Sequence, residues 1–119
     1  MKKTLVLGAS PHGYRYSNMA VHRLLAHGHE VVPVGIHNGT IAGIPILTGQ
    51  PPAEDIDTIT LYLNPQHQQQ YYQYILSLKP RRIIFNPGAE NPQLMRLARE
   101  HGIETEIACT LVMLSIQQY

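Results

Sequence analysis

The chain has 119 residues, 44% of them hydrophobic, with a formal net charge of +1 and only 14% charged side chains. One domain with a proper core fits that length, and the charge balance excludes the clustered basic face of an electrostatic nucleic-acid binder. The single cysteine, Cys109, excludes an intrachain disulfide, and no apolar run reaches the length of a membrane span.

Thr4–Leu7 reads as a buried strand. Lys2-Lys3 before it and Arg81-Arg82 further on read as solvated strand entrances. Met1-Lys2-Lys3 with the apolar residues after it imitates a signal peptide, but the run breaks at Gly8 to Pro11, so a cytoplasmic protein is expected. Ser17 suits the N-cap of a helix running to about His27, with Gly28 at its C-terminal end and Ala20, Val21, Leu24 and Leu25 facing inward. Glu30–Val34 is the second strand. Residues 35–57 carry too many glycines and prolines for a long helix; Ile41 and Ile44-Pro45-Ile46 suit a short extended piece. Thr58–Leu63 is the third main strand. Asn64 then Pro65 is a cap followed by proline, opening a helix to about Leu78. Tyr71, Tyr72, Ile75 and Leu78 suit its buried face, while Gln66, Gln68, Gln69, Gln70 and Gln73 suit its polar face. Arg82–Phe85 is the fourth strand. Asn91-Pro92 repeats the cap-and-proline device before a helix with Leu94, Leu97 and Ala98 inward, ended by Gly102. Glu104–Ala108 is the fifth strand, and Thr110 suits the cap of a last helix to Ile116.

This alternation predicts a single α/β domain over residues 1–119, a Rossmann-like three-layer sandwich around a mostly parallel five-stranded sheet. With these main strands numbered as they occur, the expected order is 3-2-1-4-5, and a flavodoxin-like order is the alternative. Ligands of such sheets sit outside the C-terminal strand ends. Those ends are Gly8-Ala9-Ser10, Pro33-Val34-Gly35, Leu63-Asn64-Pro65, Asn86 to Asn91, and Cys109-Thr110. The first is the most informative. A buried strand there enters a tight small-residue turn, then Arg15, then a helix. Backbone N–H groups and the positive helix end suit a phosphate, and Arg15 adds a permanent planar cation. The loop Gly8-Ala9-Ser10-Pro11-His12-Gly13 is not Gly-x-Gly-x-x-Gly, since Ser10 holds the second glycine position, and no Gly-Lys-Ser/Thr follows. The second strand ends Val32-Pro33-Val34-Gly35-Ile36-His37 without the acid that would hold the ribose of NAD; Glu30 stands at its beginning.

Gly8-Ala9-Ser10 with Arg15-Tyr16-Ser17 resembles the opening of the small, stand-alone coenzyme A-binding proteins, themselves similar to the N-terminal CoA-binding domain of the succinyl-CoA synthetase α subunit. Val32-Pro33-Val34 matches a valine–proline–valine segment of that family. Ile41-Ala42-Gly43-Ile44-Pro45 resembles its glycine-containing segment, with Glu54-Asp55-Ile56-Asp57 where the family has Asp-Ile-Pro. Asn86 to Asn91 falls on its Gly-x-x-Asn-Glu turn and Ala108-Cys109 on its cysteine, so the resemblance covers essentially the whole chain. It implies a CoA-binding Rossmann-like domain in which Gly8, Ala9, Ser10, Arg15 and Ser17, with Tyr16 between the last two, hold the phosphates. Pro33, Val34 and His37 would border the adenosine, Leu63 and Asn64 the far wall, and Asn86 and Gly88 the pantetheine. The chain departs from the family at Gly35-Ile36-His37, where Asn-Pro and often a lysine follow Val-Pro-Val. It departs again at Asn64, often an arginine, and at Asn86-Pro87, in place of Gln-Leu.

The expected function is binding of coenzyme A or an acyl-CoA, without catalysis of its own. The synthetase's phosphohistidine chemistry uses a second domain and a partner subunit, so no ligase activity is expected here. Two alternatives stand: an atypical NAD(P)-binding oxidoreductase domain, and a regulatory interaction protein with a vestigial crevice. The seven histidines are scattered. His27 and His29 flank a glycine turn without a third ligand, so no metal site is expected. Cys109 at a helix start reads either as a reactive thiol or as a small buried residue. No nucleic-acid or membrane partner is expected.

Overall fold

Short runs of β-branched and apolar residues take the extended state, and capped segments between them take the helical one. The computed structural model describes residues 1–119. Strand β1 (Thr4–Leu7) leads to helix α1 (Tyr16–Ala26), then β2 (Val31–Val34) and a small hairpin of β3 (Thr40–Ile41) and β4 (Ile44–Pro45). Strand β5 (Thr58–Leu61) is followed by α2 (Pro65–Gln68), a 3-10 turn at Gln69–Tyr71, and α3 (Tyr72–Ser77). Strand β6 (Arg82–Phe85), α4 (Pro92–Glu100), β7 (Glu104–Ile107) and α5 (Thr110–Ser115) complete the chain. No helix is long and apolar enough to cross a membrane.

The five long strands form one parallel sheet in the order β2-β1-β5-β6-β7. This is the predicted α/β class, but the strand order needs correction. Counting only the five main strands, the order is 2-1-3-4-5, the flavodoxin-like alternative, rather than 3-2-1-4-5. The third main strand pairs with the first, Leu5 opposite Ile59, instead of lying outside the second. The place beyond β2 is held by one residue, Leu47, in a parallel bridge to Val34. The glycines and prolines of residues 35–57 leave room there for a bridge and a hairpin, not for a full strand.

Side-chain alternation sorts the sheet into two faces. Leu5, Leu7, Ile59, Leu61, Ile83 and Phe85 pack against Tyr71, Tyr74, Ile75, Leu94 and Ala98 from α3, α4 and the turn before α3. Val6 packs on the other face against Val21 and Leu24 of α1 and Leu114 of α5. Each such fully buried aliphatic contributes about 1.5–3 kcal/mol. The helix expected over Asn64–Leu78 is broken in two. The tighter 3-10 turn shifts the buried face, so Tyr74 is buried and Tyr72 only partly so. Asn64 and Asn91 do cap their helices, accepting the N–H groups of His67 (3.0 Å) and Leu94 (3.2 Å). Ser17 is not a cap: α1 begins one residue earlier and Arg15 holds that position without a side-chain bond. Cys109, not Thr110, precedes α5 in the cap position.

The second face is partly polar. Arg82 is 3% exposed, not a solvated strand entrance. Its Nε donates to Thr58 Oγ1 (2.8 Å), Nη1 lies 3.5 Å from Glu106 and the guanidinium stacks 4.4 Å from the Tyr119 ring centre. Tyr119 is also held by Lys2 Nζ on its carbonyl oxygen and by the His29 ring at 4.9 Å. His29 Nδ1 accepts the Lys2 N–H (2.9 Å), which requires a neutral acceptor nitrogen. Burial, then nearby positive charge including Lys2, lowers the His29 pKa from 6.5. The unfolded chain therefore takes up this proton more readily than the folded one, and stability falls as pH drops through the ordinary histidine range. The midpoint of thermal unfolding should fall from about pH 7 to about pH 5, and His29→Gln should flatten that slope. An unchanged slope in the variant would remove His29 from the account.

Candidate functional site

The C-terminal ends of β1, β2, β5 and β6 open into one crevice of about 600 Å³, within the size range of small-molecule sites. It lies where the chain leaves β1 for β2 on one side and β5 for β6 on the other, the switch point of the sheet.

The turn after β1 is built by backbone contacts. The Val34 carbonyl accepts the N–H groups of both Gly8 and Ala9, each at 2.9 Å. Gly8 has φ +102, a region that favours glycine, and its Cα faces Tyr62. A Cβ on Gly35 would overlap the Ala9 carbonyl oxygen. Asn18, 5% exposed, donates Nδ2 to the Ser10 carbonyl at 2.9 Å and closes the loop onto α1. His12 N–H bonds Ser10 Oγ (3.2 Å), and Arg15 N–H bonds the His12 carbonyl (3.1 Å). The N–H groups of Ser10, Tyr16 and Ser17 find no acceptor within the chain. The last two are the unpaired amides of the α1 N-terminus.

Arg15 is exposed and meets no carboxylate; its guanidinium lies 5.9 Å from the Tyr14 ring centre, and His12 stacks on the same ring at 5.5 Å. His37 and His67 also line the crevice, and no aspartate or glutamate does. Unpaired amides, a free guanidinium and three imidazoles without an acid are groups whose chemistry suits an anion.

Of the residues named from sequence, Gly8, Ala9, Ser10, Arg15, Tyr16, Ser17, His37, Leu63, Asn64 and Gly88 line this crevice together. Pro33, Val34 and Asn86 do not. Pro33 and Val34 are buried in β2, and Val34 serves the site through its carbonyl. Asn86 is 1% exposed with its amide committed: Nδ2 donates to Thr60 Oγ1 (2.7 Å) and the Leu61 carbonyl (2.8 Å), and Oδ1 accepts the Thr110 N–H (2.9 Å). The Gly88 N–H is likewise taken, by Glu90 at 2.8 Å.

Sequence reasoning read Tyr71 only as a buried helix residue and did not single out His12, Tyr14, Ile36, Tyr62 and His67 as wall residues. Each of these five adjoins a named strand end or lies within the loop, so the spacing between Ser10 and Arg15 was the available signal for His12 and Tyr14. Tyr62 has a buried hydroxyl beside Thr110 and Thr60 that makes no hydrogen bond of good geometry, and burial pushes its phenol up to about 12. A separate surface depression of about 650 Å³ along α4 and β7, including Met95, Arg99 and Ile107, shares no residue with the crevice.

A family model described as a CoA binding domain matches residues 2–115. A crystal structure described as that of an uncharacterized protein is 54% identical, covers 100% of this chain and 98% of its own, and superposes with a TM-score of 0.98. A Pyrococcus horikoshii hypothetical protein is 23% identical over 97% of this chain and 82% of its own, with a TM-score of 0.86. The redesigned binding protein Prb, derived from PH1109, is 22% identical over 98% of this chain and 83% of its own, with a TM-score of 0.87. These last two share the fold. No curated protein matches the sequence.

The close approach of Gly35 to Ala9 is testable. Gly35→Ala should cost about 2–3 kcal/mol in urea unfolding, the usual scale of overpacking. Gly13→Ala, where an added Cβ meets open space, should stay within about 0.5 kcal/mol. Equal small losses at both would contradict the packing described.

Proposed function

The chain belongs to the CoA-binding domain family, and we propose that its crevice binds coenzyme A or an acyl-CoA through the turn between β1 and α1. The observation that carries this reading is the set of Ser10, Tyr16 and Ser17 N–H groups without internal acceptors, beside an Arg15 without a carboxylate. Those groups are the right chemistry for the ligand's phosphates. Gly8 and Ala9 bring the backbone close, and Leu63, Asn64 and Gly88 face them from the far wall. His37 follows β2 where a dinucleotide domain has its ribose-binding acid, which disfavours NAD among the phosphate-bearing ligands this turn suits.

The same crevice supports binding rather than catalysis. Arg15, the permanent cation that lines it, faces no carboxylate that would serve as a paired acid or base. Cys109 is half-buried at the start of α5 and is not among the residues lining the crevice. On this reading the protein acts by holding its ligand in a single-domain Rossmann-like scaffold, in the cytoplasm and without nucleic acid.

Arg15→Ala tests the assignment. Loss of a charge-assisted phosphate contact should weaken CoA binding by about 1.5–3 kcal/mol, or roughly 10- to 100-fold, in a calorimetric titration. Cys109→Ala should leave the affinity within about twofold, because small changes away from the contact stay near 0.5 kcal/mol. No loss from Arg15→Ala, or equal loss from both, would overturn the phosphate assignment.

A further inference from the structure

The far wall of the crevice comes from two loops that have no backbone pairing with each other: Leu63-Asn64 after β5, and Pro87-Gly88 after β6. One side chain joins them. Gln68 lies within a run of otherwise exposed glutamines but is 0% exposed. Its Nε2 donates to the Leu63 carbonyl and to the Ala89 carbonyl, each at 2.8 Å. Two carbonyls can only face an amide nitrogen, so the orientation of this carboxamide is fixed by chemistry. Its Oε1 accepts from Asn91 Nδ2 at 2.9 Å, and Asn91 caps α4 with its own Oδ1. Both donors and the acceptor are thereby satisfied within the interior, as a buried amide requires.

We propose that Gln68 is the positioning residue of the crevice, setting the separation of the Leu63 and Gly88 walls and hence the affinity for the ligand between them. It touches no ligand itself, since it does not line the crevice. The proposal rests on the reading that CoA occupies this crevice. The β6 end of the Pro87-Gly88 loop is anchored independently, by Asn86 on Thr60 and Leu61. Loss of Gln68 therefore frees the middle of the loop without detaching it from the sheet.

Gln68→Met keeps the length and removes both donors. Calorimetric titration should show CoA affinity about tenfold weaker, the scale of one buried hydrogen bond lost with its partner unpaired. Hydrogen exchange should speed up at the hydrogen-bonded Gly88 and Ala89 amides and stay unchanged over residues 10–17. In Gln68→Glu, a protonated carboxyl regains one donor. Its affinity relative to the unaltered protein should therefore recover in part as pH falls towards about 5, which a loss of bulk stability alone would not produce. Asn91→Ser keeps a helix cap but leaves Gln68 Oε1 unpaired and its carboxamide less firmly oriented, and a smaller change in the same two readouts is expected from it if Gln68→Met does not fold. A folded variant with unchanged affinity, or exchange that rises evenly along the chain, would overturn the proposal. If the unaltered protein binds no CoA, the functional reading falls by itself. The exchange pattern still decides the role of Gln68: a rise confined to Gly88 and Ala89 supports it, and an even rise overturns it.

Discussion

The Val34 carbonyl accepts two amide protons, from Gly8 and from Ala9, and the site depends on that shared bond. It turns the chain sharply as it leaves β1, using up two N–H groups and leaving the next, on Ser10, without a partner. The turn fits only because Gly35 has no side chain where the Ala9 carbonyl passes. Asn18 then ties the Ser10 carbonyl back to α1, so the loop and the helix start are held as one rigid unit. Unpaired amides at Ser10, Tyr16 and Ser17 are thereby pre-organised rather than collapsed onto the protein's own acceptors. An anion meeting such donors needs little reorganisation of the protein, which is where preorganised sites gain affinity.

The opposite wall is held by different means. Backbone pairing ends with the strands, so side-chain amides take over. Asn86 ties the end of β6 to β5 and to the start of α5, and Gln68 ties the loop beyond it to the end of β5. Buried amides are costly if any donor is left unpaired, and here each is bonded. One wall is thus a backbone turn made possible by glycine, and the other is a network of carboxamides. Between them lie the Arg15 guanidinium, three imidazoles and aromatic rings without acids, the chemistry on which the proposed phosphate-bearing ligand rests.

Much of this was legible in the sequence. The strands announce themselves as short apolar runs, Asn64-Pro65 and Asn91-Pro92 mark helix starts, and Gly8 to Ser17 marks the turn that forms one wall of the crevice. What was not legible is long-range. Strand order turned on Leu47, one bridging residue in a segment rich in glycine and proline, and local pattern does not say on which side of β1 the next strand will pair. Gln68 looks like its glutamine neighbours, and only the two carbonyls brought to it by folding bury it. Arg82 reads as a solvated charge until Thr58, Glu106 and Tyr119 enclose it. Asn86 stands at a strand end, as a ligand-binding residue would, but its amide is consumed by Thr60, Leu61 and Thr110. In each case the residue type was visible and its partners were not.

On the proposed reading the crevice is built for coenzyme A rather than for a nicotinamide dinucleotide. The decisive measurement is calorimetric titration of the folded, ligand-free protein with CoA, with NAD and ATP in parallel. CoA should bind with Kd of about micromolar order, near −8 kcal/mol, and NAD much more weakly. No CoA binding by folded protein, or NAD binding as tight as CoA, would contradict that reading.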